Sequence, residues 1–154
     1  MNYGIKYLRR IRENFIELMN DLTIEQLNEV PEGFNNNIIW NFGHIVTTTP
    51  AIVYIRSGVD KNIQIPHVAK YTRGSKPETF ISKEELEELK QLSTSYLDKI
   101  AQDYEAGAFK TITPFATLTF KYEMDTIEEV FTCLTAHESL HWGVANGLKK
   151  VVTR

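Results

Sequence analysis

His137 and His141 stand four residues apart in a segment whose apolar residues recur at steps of three and four. Imidazoles at i and i+4 project from one helix face about one turn apart. That separation lets two ring nitrogens approach one divalent ion at roughly 2.0–2.1 Å each. Two purely structural histidines would each need their own partner, because an unpaired buried polar group costs about 1–3 kcal/mol. The paired spacing favours a metal.

The stretch His137-Glu138-Ser139-Leu140-His141 also matches the HExxH pattern of zinc proteases, in which the Glu is the general base and a third ligand follows downstream. Only thirteen residues follow His141, and none is His, Asp, Glu or Cys. The protease reading fails on that missing ligand. Glu138-x-x-His141 is likewise half of the di-iron bundle signature. The second half is absent, since Asn41 precedes His44 and Gln64 precedes His67 at the equivalent offset.

A third ligand must come from elsewhere in the chain. Cys133 lies four residues before His137 but eight before His141. Eight residues span about 12 Å of helix, so Cys133 and both histidines cannot share one ion. Cys133 reads as core filler. His44 and His67 remain, and His44 is preferred: it follows Gly43 directly, and a glycine there permits close approach of a neighbouring helix. His67 falls in a long irregular stretch and reads as solvated, with a contribution to the site left open. Glu138 is the acidic group nearest in sequence and a candidate catalytic base or ligand partner. The helix turns about 100° from His137 to Glu138, which points that carboxylate toward a neighbouring helix or solvent. Asn41, one turn before His44, is a candidate partner for a ligand ring.

Four long amphipathic segments position these residues. Ile5, Leu8, Ile11, Phe15, Leu18 and Leu22 form the stripe of a first helix, and Thr23 with Gln26 is a capping-box pattern for a short helical turn after it. Pro31 to Gly33 breaks the chain. Asn35, Asn36 and Asn37 offer N-caps for a helix running from Asn37 to Ser57, with Ile38, Phe42, Ile45, Thr49 and Ile52 inward and a bend at Pro50. Residues 58–81 show no period. Ser82 with Glu85 opens the third long helix, carrying Leu86, Leu89, Leu92, Tyr96 or Leu97, Ile100 and Tyr104 inward. The β-branched and aromatic alternation within 107–122 predicts a short extended excursion, as hairpin or loop. Thr126 with Glu129 starts the last helix, whose inward positions are Ile127, Val130, Leu134, His137, His141, Val144, Leu148 and Val151. The expected architecture is all-α: a four-helix bundle with a long loop and a short extended excursion before the last helix.

A chain of 154 residues fits one domain, taken as 1–154, and is long enough to bury a core without disulfides. Its 42% hydrophobic and 24% charged content is that of an ordinary globular protein. The longest unbroken apolar run, Ala51 to Ile55, is far short of the roughly 20 residues that span a bilayer, so no membrane partner is expected. The charged N-terminus lacks the apolar core of a secretory signal, and a single cysteine suits a reducing compartment; the expected location is cytoplasmic. A net charge of −3 disfavours nucleic acid as a partner. Lys6, Arg9, Arg10 and Arg12 near the start, and Lys149, Lys150 and Arg154 at the end, read as solvated helix faces.

The segment from Asn37 through Trp40, Gly43 and His44 to Ile45, followed far downstream by His137-x-x-x-His141-Trp142-Gly143, resembles the DinB-like family. That family is also described as YfiT-like metal-dependent hydrolases. The resemblance covers essentially the whole chain. It implies a four-helix bundle holding a divalent metal, commonly zinc or nickel, on three histidines: here His44, His137 and His141. It further implies either transfer of a low-molecular-weight thiol, such as bacillithiol or mycothiol, to a small-molecule substrate, or a hydrolase, and it carries no DNA chemistry. Three protein ligands leave open positions, which is more typical of catalytic than of structural metal. A non-catalytic metal-binding or interaction bundle, with a homodimer as a candidate assembly, is the remaining expectation.

Overall fold

The computed structural model describes residues 2–154. Asn2 accepts a hydrogen bond from the Gly4 amide and caps α1 (Tyr3–Asn20), whose buried side chains include Ile5, Leu8, Ile11, Phe15 and Leu18. The Thr23–Gln26 pair closes a reciprocal capping box on α2 (Ile24–Asn28), as the sequence predicts. Asn37 then accepts from the Trp40 amide and starts α3 (Ile38–Pro50).

The expected single stripe on α3 is too narrow. Every residue from Ile38 to Pro50 except Thr48 is buried, so this helix is enclosed by its neighbours on nearly all sides. The stretch Ile38–Arg56 is long and apolar enough to cross a bilayer, but it is mostly buried within the protein. Pro50 does not end the helical run. The chain continues as a π-helical segment, Ala51–Arg56, and the Ser57 amide reaches back to the carbonyl of Ile52. A proline has no N–H for the carbonyl of Val46, and widening to a π turn is one way the chain absorbs that gap.

Residues 58–81 are not wholly irregular. They contain one helical turn, α4 (Val68–Tyr71), whose Tyr71 is buried. Ser82 caps α5 (Lys83–Glu105), which buries Leu86, Leu89, Tyr96, Leu97 and Ile100. The excursion forms a minimal antiparallel pair, β1 (Phe115–Ala116) and β2 (Glu123–Met124), with Phe115 opposite Met124. It extends two residues past the expected limit. Thr126 caps α6 (Ile127–Val152).

The inward seam of α6 also differs from expectation. Ile127, Val130, Leu134 and Leu148 are buried as predicted, but Glu138, Ala145 and Val152 replace His137, His141, Val144 and Val151 at its centre. Val144 is 42% exposed. The seam is turned by about one residue, which moves both histidines from the core axis to its rim. Two apolar clusters make the core. One joins Phe15, Phe42, Leu89 and Leu148; the other joins Leu8, Tyr54, Phe131 and Leu134.

Arg12 corrects a second expectation. It is no solvated residue: it is 2% exposed, against 0% for Glu138. Arg12 lies one turn after Leu8 on α1 and Glu138 one turn after Leu134 on α6. Phe15 and Ala145, further along the same two helices, belong to the other cluster, so the pair lies where one cluster gives way to the other. Its Nε donates to both Glu138 oxygens at 3.2 and 3.1 Å, and its Nη2 to Oε1 at 2.7 Å. The guanidinium also donates to the carbonyls of Ser93 at 2.9 Å and Ile45 at 3.2 Å, while Thr49 Oγ1 donates to Glu138 at 2.7 Å. One ion pair thereby ties α1, α3, α5 and α6 together.

Candidate metal centre

His44 comes from the middle of α3, and His137 and His141 from successive turns of α6. Among the described residues these three form a group whose candidate ligand atoms all lie within 4.8 Å of one another. Nε2 of His44 is 3.3 Å from Nε2 of His137. The ring of His141 has its centroid 4.6 Å from that of His44 and 4.7 Å from that of His137.

Two of the rings have their tautomers set by acceptors. Nδ1 of His44 lies 2.7 Å from the carbonyl oxygen of Tyr71, which can only accept, so the proton sits on Nδ1 and the lone pair on Nε2. Nδ1 of His141 lies 2.7 Å from Oδ1 of Asn41. The Asn41 amide is oriented by its own Nδ2, which donates to Asn36 Oδ1 at 3.0 Å and to the Asn37 carbonyl at 2.8 Å. His141 therefore also carries its proton on Nδ1 and presents Nε2. His137 Nδ1 is buried without a hydrogen-bond partner.

The donor set fits a divalent ion. Two nitrogens bound at about 2.05 Å in tetrahedral geometry lie about 3.3–3.4 Å apart, matching the 3.3 Å between His44 and His137. Outer partners that hold the remote ring nitrogen of a ligating His are a regular feature of metal sites. Burial, with the neighbouring imidazoles adding to it, pushes His137 down to about 4 and His141 to about 3. Burial lowers His44 as well, against a partial opposing effect of the Tyr71 carbonyl. All three rings are neutral at pH 7, the form that binds metal.

Packing holds the His44 ring in place. Trp40, one turn earlier, stacks on it with centroids 4.9 Å apart, and Trp40 Nε1 donates to Ser75 Oγ at 3.0 Å. The Tyr71 ring lies where a Cβ on Gly43 would be, 2.5 Å away, so only glycine lets α4 come this close to α3. The Tyr71 hydroxyl and Lys70 both donate to Glu85 on α5, anchoring the turn that supplies the carbonyl.

On one side the imidazoles open into a cleft of about 490 Å³, lined also by Thr48, Ile52, Leu118, Phe120, Cys133 and Leu140. The extended excursion thus forms part of the cleft wall. Cys133 is partly buried there, packed against the edge of the second core cluster, and burial raises its thiol pKa. Glu138 is absent from the three-histidine group, its carboxylate being engaged by Arg12 and Thr49. His67 is absent too: it lies at the N-cap of α4, with Nε2 3.0 Å from Glu88.

Sequence reasoning missed the roles of Arg12 and Tyr71, and placed Thr49 inward without its partner Glu138. Arg12 and Thr49 carried a signal, since the first falls four residues after Leu8 and the second four after Ile45, both on buried stripes. Tyr71 acts at His44 through its backbone, for which side-chain type gives no signal.

No curated protein matches the chain. The DinB superfamily matches residues 7–145, a span that includes all three histidines and both of their oxygen partners, and the chain belongs to that superfamily.

Proposed function

We propose that His44, His137 and His141 hold a divalent ion, zinc or nickel, and that the protein is a metal-dependent enzyme transferring a low-molecular-weight thiol, such as bacillithiol, to an electrophilic small molecule. The observation that carries this reading is the convergence of the three rings at the floor of an open cleft. An ion bound there by three neutral donors supplies a Lewis acid that favours ionisation of a bound water or thiol near neutral pH. Tyr71 and Asn41 keep the protons of His44 and His141 on Nδ1, so both Nε2 lone pairs remain available. Leu118, Phe120 and Leu140 give the cleft apolar walls that limit water around a reacting group.

Hydrolysis is less well supported than thiol transfer. Beyond the acidification the ion itself would supply, a base beside the metal assists a hydrolase by taking the proton of the bound water. The cleft lining contains no Asp or Glu, and Glu138 is spent on Arg12. A thiol, more acidic than water by about 7 pKa units, needs no such base.

Metal analysis of purified protein should give about one ion per chain, lost in His137→Ala and His141→Ala. Low-molecular-weight thiols should then raise the melting temperature of the metal-loaded protein and not of the metal-free form. Metal-free protein from zinc-replete expression, with no stabilisation by added zinc or nickel, overturns the metal reading. A metal-loaded protein indifferent to thiols overturns the transferase.

A further inference from the structure

Two arginines, Arg56 at the end of the π-helical segment and Arg73 just after α4, line the cleft together with the histidines. The chain as a whole is acidic, with 20 carboxylates against 17 Lys and Arg, yet no Asp or Glu lines this cleft. Arg9, Arg10 and Arg12 each have a carboxylate partner, in Asp98, Glu13 and Glu138. Among the described residues, Arg56 and Arg73 have none.

Arg56 is seated by other means. Its guanidinium lies 5.3 Å from the centroid of the Phe115 ring, and Nη2 donates to the Ala116 carbonyl at 3.2 Å. Both contacts hold the group without neutralising it. The three imidazoles contribute no negative charge either. Like charges in a cleft with apolar walls focus their field outward and attract the opposite sign. The guanidinium fork matches carboxylate, sulfonate and phosphate oxygens in pairs. The same wall carries Leu118, 69% exposed, and Phe120, 40% exposed. Large apolar side chains left open beside unpaired cations describe the complement of a molecule with one apolar and one anionic part.

We propose that the cleft receives a small amphipathic anion, its charged end held by Arg56 and Arg73 and its apolar part against Leu118 and Phe120. This rests on the same cleft serving as the substrate site and names the class of molecule that enters, whichever chemistry follows.

The test uses two fluorescent probes with the same aromatic body, 8-anilinonaphthalene-1-sulfonate and the uncharged N-phenyl-1-naphthylamine. They are titrated into the full chain in zinc-loaded and metal-free forms. The sulfonate should bind about 10-fold or more tighter than the neutral probe, and added salt should narrow the gap. Arg73→Gln, at an exposed position, should weaken the sulfonate about 3- to 10-fold without changing the neutral probe, and Arg56→Gln should act likewise. Equal affinity for the two probes, binding of neither, or unaltered sulfonate affinity in Arg73→Gln overturns the proposal. An arginine-dependent preference in the metal-free form, in a protein that retains no zinc, leaves the anion site standing while the metal reading falls. Zinc bound at the histidines with no preference between probes leaves the metal standing while the anion site falls.

Discussion

The carbonyl oxygen of Tyr71 lies 2.7 Å from Nδ1 of His44, so a backbone atom of a single helical turn decides which nitrogen of that ring faces the other two. The turn can deliver it only because residue 43 has no side chain. Gly43→Ala places a Cβ 2.5 Å from the Tyr71 ring and must push α4 away. Zinc affinity, read by competition with a chromophoric chelator, should fall about 10- to 100-fold, the usual cost of losing the partner of a ligating His. Unchanged affinity would mean that the Tyr71 carbonyl has no part in presenting His44.

Asn41 holds His141 by the same logic through a side chain. Asn41→Leu removes the acceptor and should lower zinc affinity by a similar factor of about 10–100, with the zinc content at saturation still near one per chain. A loss no larger than that of a distant surface variant would show that packing alone orients the ring.

Removing one partner of the buried Arg12–Glu138 pair strands the other in the core. Arg12→Met and Glu138→Leu should each cost about 3–5 kcal/mol in urea denaturation. The double variant Arg12→Met with Glu138→Leu should cost clearly less than the sum of the two single changes, because no charge is left without its counterpart. Simple additivity would contradict the geometry of shared hydrogen bonds.

Stability of the metal-free protein should depend on the histidines in a defined direction. Their folded values, about 4 for His137 and about 3 for His141, lie below the unfolded value, which is near 6.5. Between those limits the unfolded chain binds more protons than the folded one. The stability contributed by the neutral rings is therefore complete above about pH 6.5 and is lost progressively as pH falls toward 3–4. The double variant His137→Gln with His141→Gln should show a shallower loss between pH 6.5 and 4 in parallel urea titrations. Superimposable profiles would place the acid sensitivity elsewhere.

The helices were legible because their caps are written in side chains: Thr23, Asn37, Ser82 and Thr126 each accept from the backbone where expected. The three histidines were legible from spacing and from the family resemblance, and the structure brings them together. The rotation of α6 was not. A seam of apolar residues interrupted by both His137 and Glu138 has two consistent readings, and a charged side chain looks like the solvent face until its partner is known. That partner, Arg12, lies 126 positions earlier on another helix. The turn at α4 escaped for a different reason: four residues with no period of their own are shaped by what they pack on, here Gly43.

The same ion pair that joins two halves of the core also acts as an alignment pin between helices. Apolar seams tolerate sliding, since one leucine replaces another a turn away, but a single guanidinium meets a single carboxylate at one longitudinal setting only. Glu138 is the immediate neighbour of His137. A slip of α6 by one turn, about 5.4 Å, would exceed the 3.3 Å between the facing nitrogens of His137 and His44. The pair thus sets the distance across which the imidazoles meet, without touching any of them.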